Sequence, residues 1–330
     1  MMRLAALTRE VTPPAMRHLL LRCFVACALF VPAGACAADG LVTLGNSQVE
    51  VGVDPAHGLI LSLSLPGQPN LLWVNPHPLT GKRIGGWINY GGDKLWWGPQ
   101  IDWQAVTGRR FPPDEALDGA WQIVEQRPDH LVMRSGVSPW VGIRAEREIA
   151  LDPGQPGVVI HNRFIREAAS SRRLQLWTVC QLPRPQWCWL ESRPAAGEAA
   201  FVNLRPTLDP GSAVRVEAAL GLVRGSPLAS GPYLIGTRGA WLAAVYDDRI
   251  VVHEVAPFPD GGYAEQVSLQ LFFGPGYIEL ETLGGLATPA VGGTLDNAVH
   301  WRVLPRPAKL SDVELAQWLR AQLATPPSQR

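Results

Sequence analysis

From residue 41 onward the chain is a succession of short apolar or alternating runs separated by turn residues. Runs at 41–44, 49–53, 59–65 and 70–74 are punctuated by Gly45-Asn46, Asp54-Pro55 and Pro66-Gly67. Further runs lie at 121–126, 130–135, 142–151, 157–164, 174–179, 213–222, 241–246, 250–254, 266–273, 277–283 and 298–304. Before Ser311 no stretch carries a long apolar stripe of helical spacing. From Ser311 one does: Ser311 is placed to cap, Glu314 stands at the third helical position, and Val313, Leu315, Trp318, Leu319 and Leu323 are its apolar residues. Many short strands with frequent turns and a single terminal helix predict an all-β fold, an antiparallel sandwich or barrel. No fixed repeat and no linker-like segment divides it. The expected organisation is an export segment over 1–37, one β domain over 38–310, and a C-terminal helix with a polar tail over 311–330.

The first residues read as a targeting signal. Arg17, His18 and Arg22 flank the start of an apolar run that continues through Val31, and Ala35-Cys36-Ala37 offers small residues for cleavage near Ala37. The run is too short for a membrane span, so the expected product is periplasmic or secreted, with no transmembrane segment in the mature chain. Residues 1–15 read as an upstream extension, with Met16 as a start. A lipoprotein with Cys36 lipidated is the disfavoured alternative, because Ala33-Gly34-Ala35 lacks a large aliphatic residue at its front.

Export changes the meaning of the cysteines. Cys180 and Cys188 remain in the mature chain, and in an oxidising compartment they are either a disulfide across a short loop or two buried thiols. Cleavage also leaves 25 basic and 28 acidic side chains, about −3 net, with no basic stripe. Nucleic acid is therefore not expected as a partner, since such binding depends on neutralising phosphates. No cysteine–histidine cluster, phosphate loop, dinucleotide fingerprint or nucleophile elbow is present, so neither a metal nor a cofactor is expected.

The richest chemistry lies between Gly85 and Pro113. This stretch holds Trp87, Trp96, Trp97 and Trp103, four of thirteen tryptophans, among Asn89, Asp93, Lys94 and Asp102. The pairs Gly85-Gly86 and Gly91-Gly92 permit tight turns or close backbone approach. Flat indole faces beside amide, carboxylate and ammonium groups suit a sugar, which stacks its C–H face and needs polar partners for its hydroxyls. The same residues could instead be sandwich core joined by turns. Asp114, Glu115 and Asp118 read as a solvated turn rather than a glycosidase pair or calcium site, and Arg109-Arg110 as exposed charges.

Three patches in order resemble a known group: Gly91-Gly92-Asp93-Lys94-Leu95-Trp96-Trp97-Gly98-Pro99-Gln100 early, Ile160-His161-Asn162-Arg163-Phe164 leading to Trp177 in the middle, and Tyr277-Ile278-Glu279-Leu280-Glu281-Thr282-Leu283 late. Together they resemble a bacterial family without assigned function in the galactose-mutarotase-like superfamily, over about Leu41 to Leu304. The resemblance implies a large antiparallel supersandwich whose concave sheet face holds carbohydrate in many relatives. In aldose 1-epimerases of that superfamily a late-strand glutamate is the general base, and Glu281 matches it, with Glu279 on the same strand face. The histidines of those enzymes are not matched. The early motif reads Tyr90-Gly91-Gly92-Asp93, and the middle one reads Leu176-Trp177-Thr178-Val179. His161, His253 and His300 remain, with nothing in the sequence to bring them near Glu281.

Three readings follow. The first is an exported carbohydrate-binding protein for a mono- or oligosaccharide, with Trp96, Trp97 and Trp103 as groove wall and Asn89, Asp93, Lys94 and Glu281 as polar partners. The second is an aldose 1-epimerase-type isomerase with Glu281 as base, and the third a non-catalytic structural envelope protein. Oligomeric state is not legible in the sequence.

Overall fold

The computed structural model describes residues 40–324 except 80–86, 112–113, 229–230 and 259–261. The expected export segment, with Cys36 and Ala37, lies outside the described residues, as do Gly85, Gly86, Pro112, Pro113, Pro259, Asp260, Gly261 and the tail from Thr325.

Alternating runs become strands because one face of each is buried and the other covered or solvated. In chain order the first are β1 (Val42–Gly45), β2 (Glu50–Asp54), β3 (Leu59–Ser64), β4 (Asp93–Gly98), β5 (Gln122–Arg127), β6 (His130–Val137), β7 (Ile143–Leu151) and β8 (Gly157–Arg166). Next come β9 (Gln175–Pro183), β10 (Trp187–Glu191), β11 (Val202–Asn203), β12 (Val214–Glu217) and β13 (Leu222–Gly225). The last are β14 (Tyr233–Thr237), β15 (Trp241–Val245), β16 (Arg249–Val255), β17 (Leu269–Phe273), β18 (Tyr277–Leu283) and β19 (Thr294–Pro305). Short helices α1 (Trp103–Thr107) and α2 (Glu115–Asp118) follow β4, and α3 (Asp312–Ala324) ends the fold.

These strands form two antiparallel sheets, ordered β1-β2-β3-β4-β9-β18-β17-β14-β11 and β12-β13-β10-β15-β16-β19-β8-β7-β6-β5. Inward-facing Leu176, Cys180 and Leu182 of β9, Ile278 and Leu280 of β18, and Ile143, Ala145 and Ile149 of β7 belong to one core between them. The fold is an all-β sandwich of two large antiparallel sheets. The terminal helix forms as its sequence predicts. Ser311 Oγ accepts from the Glu314 amide at 3.3 Å, and Glu314 Oε2 accepts from the Ser311 amide at 2.8 Å, the reciprocal cap of a helix start. Leu315, Ala316 and Leu319 of α3 are buried against Trp189, Trp241 and Val252 on the outer face of the ten-stranded sheet.

One strand expectation changes. The stretch at 70–74 forms no strand beyond a bridge from Val74 to Gly91. The Trp-rich 93–98, which is not among the runs predicted as strands, forms the fully buried strand β4. Cys180 and Cys188 are free thiols, each buried in the core rather than bridged. Among the described residues no helix is long and apolar enough to cross a membrane.

Candidate functional site

Strand β4 divides its own residues between two environments. Asp93 pairs in register with Cys180, and Lys94 with Val179. Side chains alternate across a strand, so Asp93, Leu95 and Trp97 enter the core while Lys94 and Trp96 stand on the outer face. Asp93, 1% exposed, forms an ion pair with Arg147 of β7, which arrives from the opposite sheet. Burial raises the Asp93 carboxyl above its ordinary value, against the pull of Arg147. Asp93 and Trp97, expected as ligand contacts, thus face away from the outer surface. Trp103 is fully buried too, donating from Nε1 to the Trp97 carbonyl at 2.9 Å. Its ring backs Trp96 at 5.2 Å and Trp177 at 5.4 Å between centroids.

The turn before β4 requires its glycines. Gly91 and Gly92 have φ of +90° and +65°, and a Cβ would stand 2.4 Å from the Trp73 carbonyl oxygen at one and 2.2 Å from that of Ile60 at the other. Asn89 shapes this turn by accepting from the Gly91 amide at 3.1 Å, and its Nδ2 donates to the Tyr277 hydroxyl at 3.3 Å. It therefore buttresses Tyr277, which stacks on Trp73 at 4.3 Å.

On the outer face, Trp87, Trp96, Trp177, Tyr277, Glu279 and Glu281 converge on a depression of about 180 Å³, with Phe111, Phe272 and Arg205 at its rim. It adjoins a trough of about 480 Å³ that shares Trp177, Phe111 and Arg205 and adds Arg110, Glu265 and Gln270. Trp177 and Glu281 come from neighbouring strands, and Trp177 Nε1 donates to Glu281 Oε2 at 2.7 Å. Gln181 Nε2 donates to Glu279 Oε1 at 2.6 Å. Burial, and then the adjacent Glu279, push Glu281 well above the usual carboxylate range. Burial also raises Glu279, but Lys94 and Gln181 oppose that rise. Two carboxyls two positions apart on one strand, roughly 6.6 Å along it, thus sit in environments that separate their affinities for protons.

A third cavity, about 270 Å³, is lined by Trp87, His57, Tyr90, Lys94, Glu115 and Asp118. The acidic cluster after Phe111 is structural here rather than a solvated turn. Asp114 is buried and caps α2 by accepting from the Ala116 amide at 2.8 Å. Both Asp118 oxygens accept from Trp96 Nε1 at 3.1 Å, and burial raises Asp118 to about 7. Glu115 alone is exposed, paired with Arg109.

The histidines considered from the sequence lie elsewhere. His253 is buried on β16, stacked on Trp301 at 4.9 Å. His300 meets Asp152 at 2.6 Å, and His161 is exposed on β8. His57, which the sequence reading passed over, stands at the β2–β3 turn with Nδ1 2.7 Å from Asp54 Oδ2. Trp177 and Tyr277 were also missed as wall residues. For Trp177 a signal existed, since it alternates with Gln175, Val179 and Gln181 along one strand face.

A protein-family model described as "Domain of unknown function (DUF4380)" matches residues 40–303. The chain belongs to that family. No curated protein matches it. Among solved structures the DUF4380 chain is similar to an assigned aldose 1-epimerase from Escherichia coli K12, with a TM-score of 0.53 and 14% identity over 80% of this chain and 98% of that one. It is also similar to a galactose mutarotase-like protein from Lactobacillus casei ATCC 334, with a TM-score of 0.52 and 10% identity over 80% of this chain and 100% of that one. A third, assigned as a mutarotase in Salmonella typhimurium, has a TM-score of 0.52 and 11% identity, covering 81% and 90%. At such identities the likeness carries the fold.

Proposed function

We propose that this DUF4380 protein is an exported carbohydrate-binding protein that holds a sugar ring in the depression between Trp96, Trp177 and Tyr277. The single supporting observation is the convergence of three indoles, a phenol and two carboxyls on one cavity of about 180 Å³. A cavity of that size matches one sugar ring, and the adjoining trough of about 480 Å³ offers room for further residues of a chain. Sugar C–H faces stack on the rings, while Glu279, Glu281 and Arg205 meet hydroxyls. Asn89 contributes through Tyr277, and Asp93, Trp97 and Trp103 through support of the strand and rings. Export rests on the sequence pattern that ends near Ala37. The fold neighbours named as epimerase and mutarotase fit a sugar ligand. The test is saturation-transfer or line-broadening NMR of reducing sugars and short oligosaccharides with wild-type, Trp177→Ala and Trp96→Ala proteins. Broadening that survives both substitutions would place the ligand elsewhere, and no broadening with any glycan would favour a purely structural envelope protein.

A second reading is favoured by the carboxyl pair. Mutarotation needs a base for the anomeric hydroxyl proton and an acid for the ring oxygen. Where environments push two carboxyls apart, the one held protonated is the acid and the other the base. On that logic Glu281 is the acid and Glu279 the base, the reverse of the role the late-strand glutamate suggested. Exchange NMR decides it: α/β cross-peaks that grow with wild-type protein and vanish in both Glu279→Gln and Glu281→Gln support it, and uncatalysed exchange alone removes it.

A further inference from the structure

Lysine is scarce in this chain. It has only Lys82, Lys94 and Lys309 among 29 basic residues, the rest being arginine. The other buried cations, Arg147, Arg166 and Arg302, follow that preference. Lys94 departs from it. Its side chain is 3% exposed, and its Nζ has no hydrogen-bond partner among the described residues. The amine lies 5.7 Å from the ring centroids of both Trp87 and Trp96. It borders the cavity of about 270 Å³ that also receives His57, Tyr90 and Asp118.

An unpaired buried ammonium is costly, and the cost falls away when the amine is neutral. Burial lowers the Lys94 affinity for its proton, with Glu279, Asp93 and Asp118 opposing. Arginine could not respond in this way because its guanidinium stays charged, whereas a desolvated lysine becomes a nucleophile. Asp118, fixed by the Trp96 N–H, lines the same cavity and is poised to move protons.

We propose that Lys94 is a carbonyl-capturing amine, which forms an imine with a small aldehyde, including the open-chain form of an aldose, in the cavity between Trp87, His57 and Asp118. The nitrogen lone pair adds to the carbonyl carbon while Asp118, in its protonated form, gives its proton to the carbonyl oxygen. Asp118 then accepts a proton from nitrogen and returns one to the departing hydroxyl, so that one water leaves as the C=N bond forms. Hydrolysis reverses the step, and no oxidant or reductant takes part. The cavity adjoins the depression at Trp87, which lines both, but Lys94, His57 and Asp118 line this cavity alone, and the inference stands whether or not the depression binds a sugar.

The test treats the folded protein at pH 7 with glycolaldehyde, or separately with glucose, in the presence of cyanoborohydride, which reduces imines. Peptide mass mapping then compares Lys94 with exposed Lys309. Trapping adds the mass of the aldehyde less one oxygen. Lys94 is expected to be modified at least about tenfold faster than Lys309, because an ordinary lysine is almost wholly protonated at this pH. Asp118→Asn is expected to slow Lys94 and leave Lys309 unchanged, and Lys94→Arg to remove the adduct at that position. Glucose trapping at Lys94 would identify an aldose as ligand, and trapping by glycolaldehyde alone a smaller aldehyde. Modification of Lys94 no faster than Lys309 in the folded protein, with both modified equally in denaturant, would overturn the proposal.

Discussion

The Trp177 indole N–H donates to Glu281 Oε2 at 2.7 Å, across two strands whose residues lie 104 positions apart. Trp177 stands where the resemblance to aldose 1-epimerases leads one to expect a histidine. The partner that Glu281 finds in this chain is thus an aromatic donor, which cannot act as a proton-exchanging group at neutral pH. If the depression binds sugar, Trp177→Ala should weaken binding roughly tenfold, through loss of both stacking and the donor. Trp177→Phe keeps a ring face and should weaken it less. Titration calorimetry or NMR of the two variants checks the order; equal losses would mean that the N–H, and not the ring face, is what matters.

Asp118 makes stability depend on pH. In the unfolded chain its carboxyl titrates near 3.8, whereas burial holds it at about 7 in the folded state. Between those values the unfolded chain has released a proton that the folded protein retains, so rising pH favours unfolding until about pH 7. Asp118→Asn removes that dependence while leaving an oxygen for the Trp96 N–H. Thermal melts should show the variant more stable than wild type at pH 8, with the gap closing near pH 4. A gap that widened towards acid would contradict the assignment.

The Asp93–Arg147 pair joins the two sheets through the core. Removing one partner leaves the other charge buried and unpaired, so Asp93→Ala or Arg147→Met alone should each cost ~3–5 kcal/mol in chemical denaturation. The double variant should cost clearly less than the sum of the two. Additive losses would show that the charges are not coupled.

Cys180 and Cys188 are buried free thiols, and burial raises both well above their ordinary affinity for protons. Thiolate is the reactive form. Native protein should therefore leave both residues unmodified by a thiol reagent at pH 8, whereas denatured protein should have both modified without prior reduction. A requirement for reductant would instead reveal a disulfide.

Local features of this protein are legible in the chain alone. Alternation of apolar residues gave most of the strands, and Ser311 with Glu314 gave the start of α3, because a cap is a contact between residues three apart. Gly91 and Gly92 marked a backbone that must turn tightly. Residues 85–113 were marked as rich in candidate chemistry, and Glu279 and Glu281 could be placed on one strand face by their spacing alone. What the sequence left undecided was which face of β4 meets the core. Period-two alternation separates Asp93 and Trp97 from Lys94 and Trp96, but only the pairing of β4 with β9 and the arrival of Arg147 from the other sheet give Asp93 to the interior and Lys94 to the cavity it shares with His57 and Asp118. The same holds for Trp177 beside Glu281 and for His57 and Asp118 beside Lys94. Those neighbours are set by strand pairing and sheet packing between residues far apart in the chain, and local propensity carries no record of such contacts.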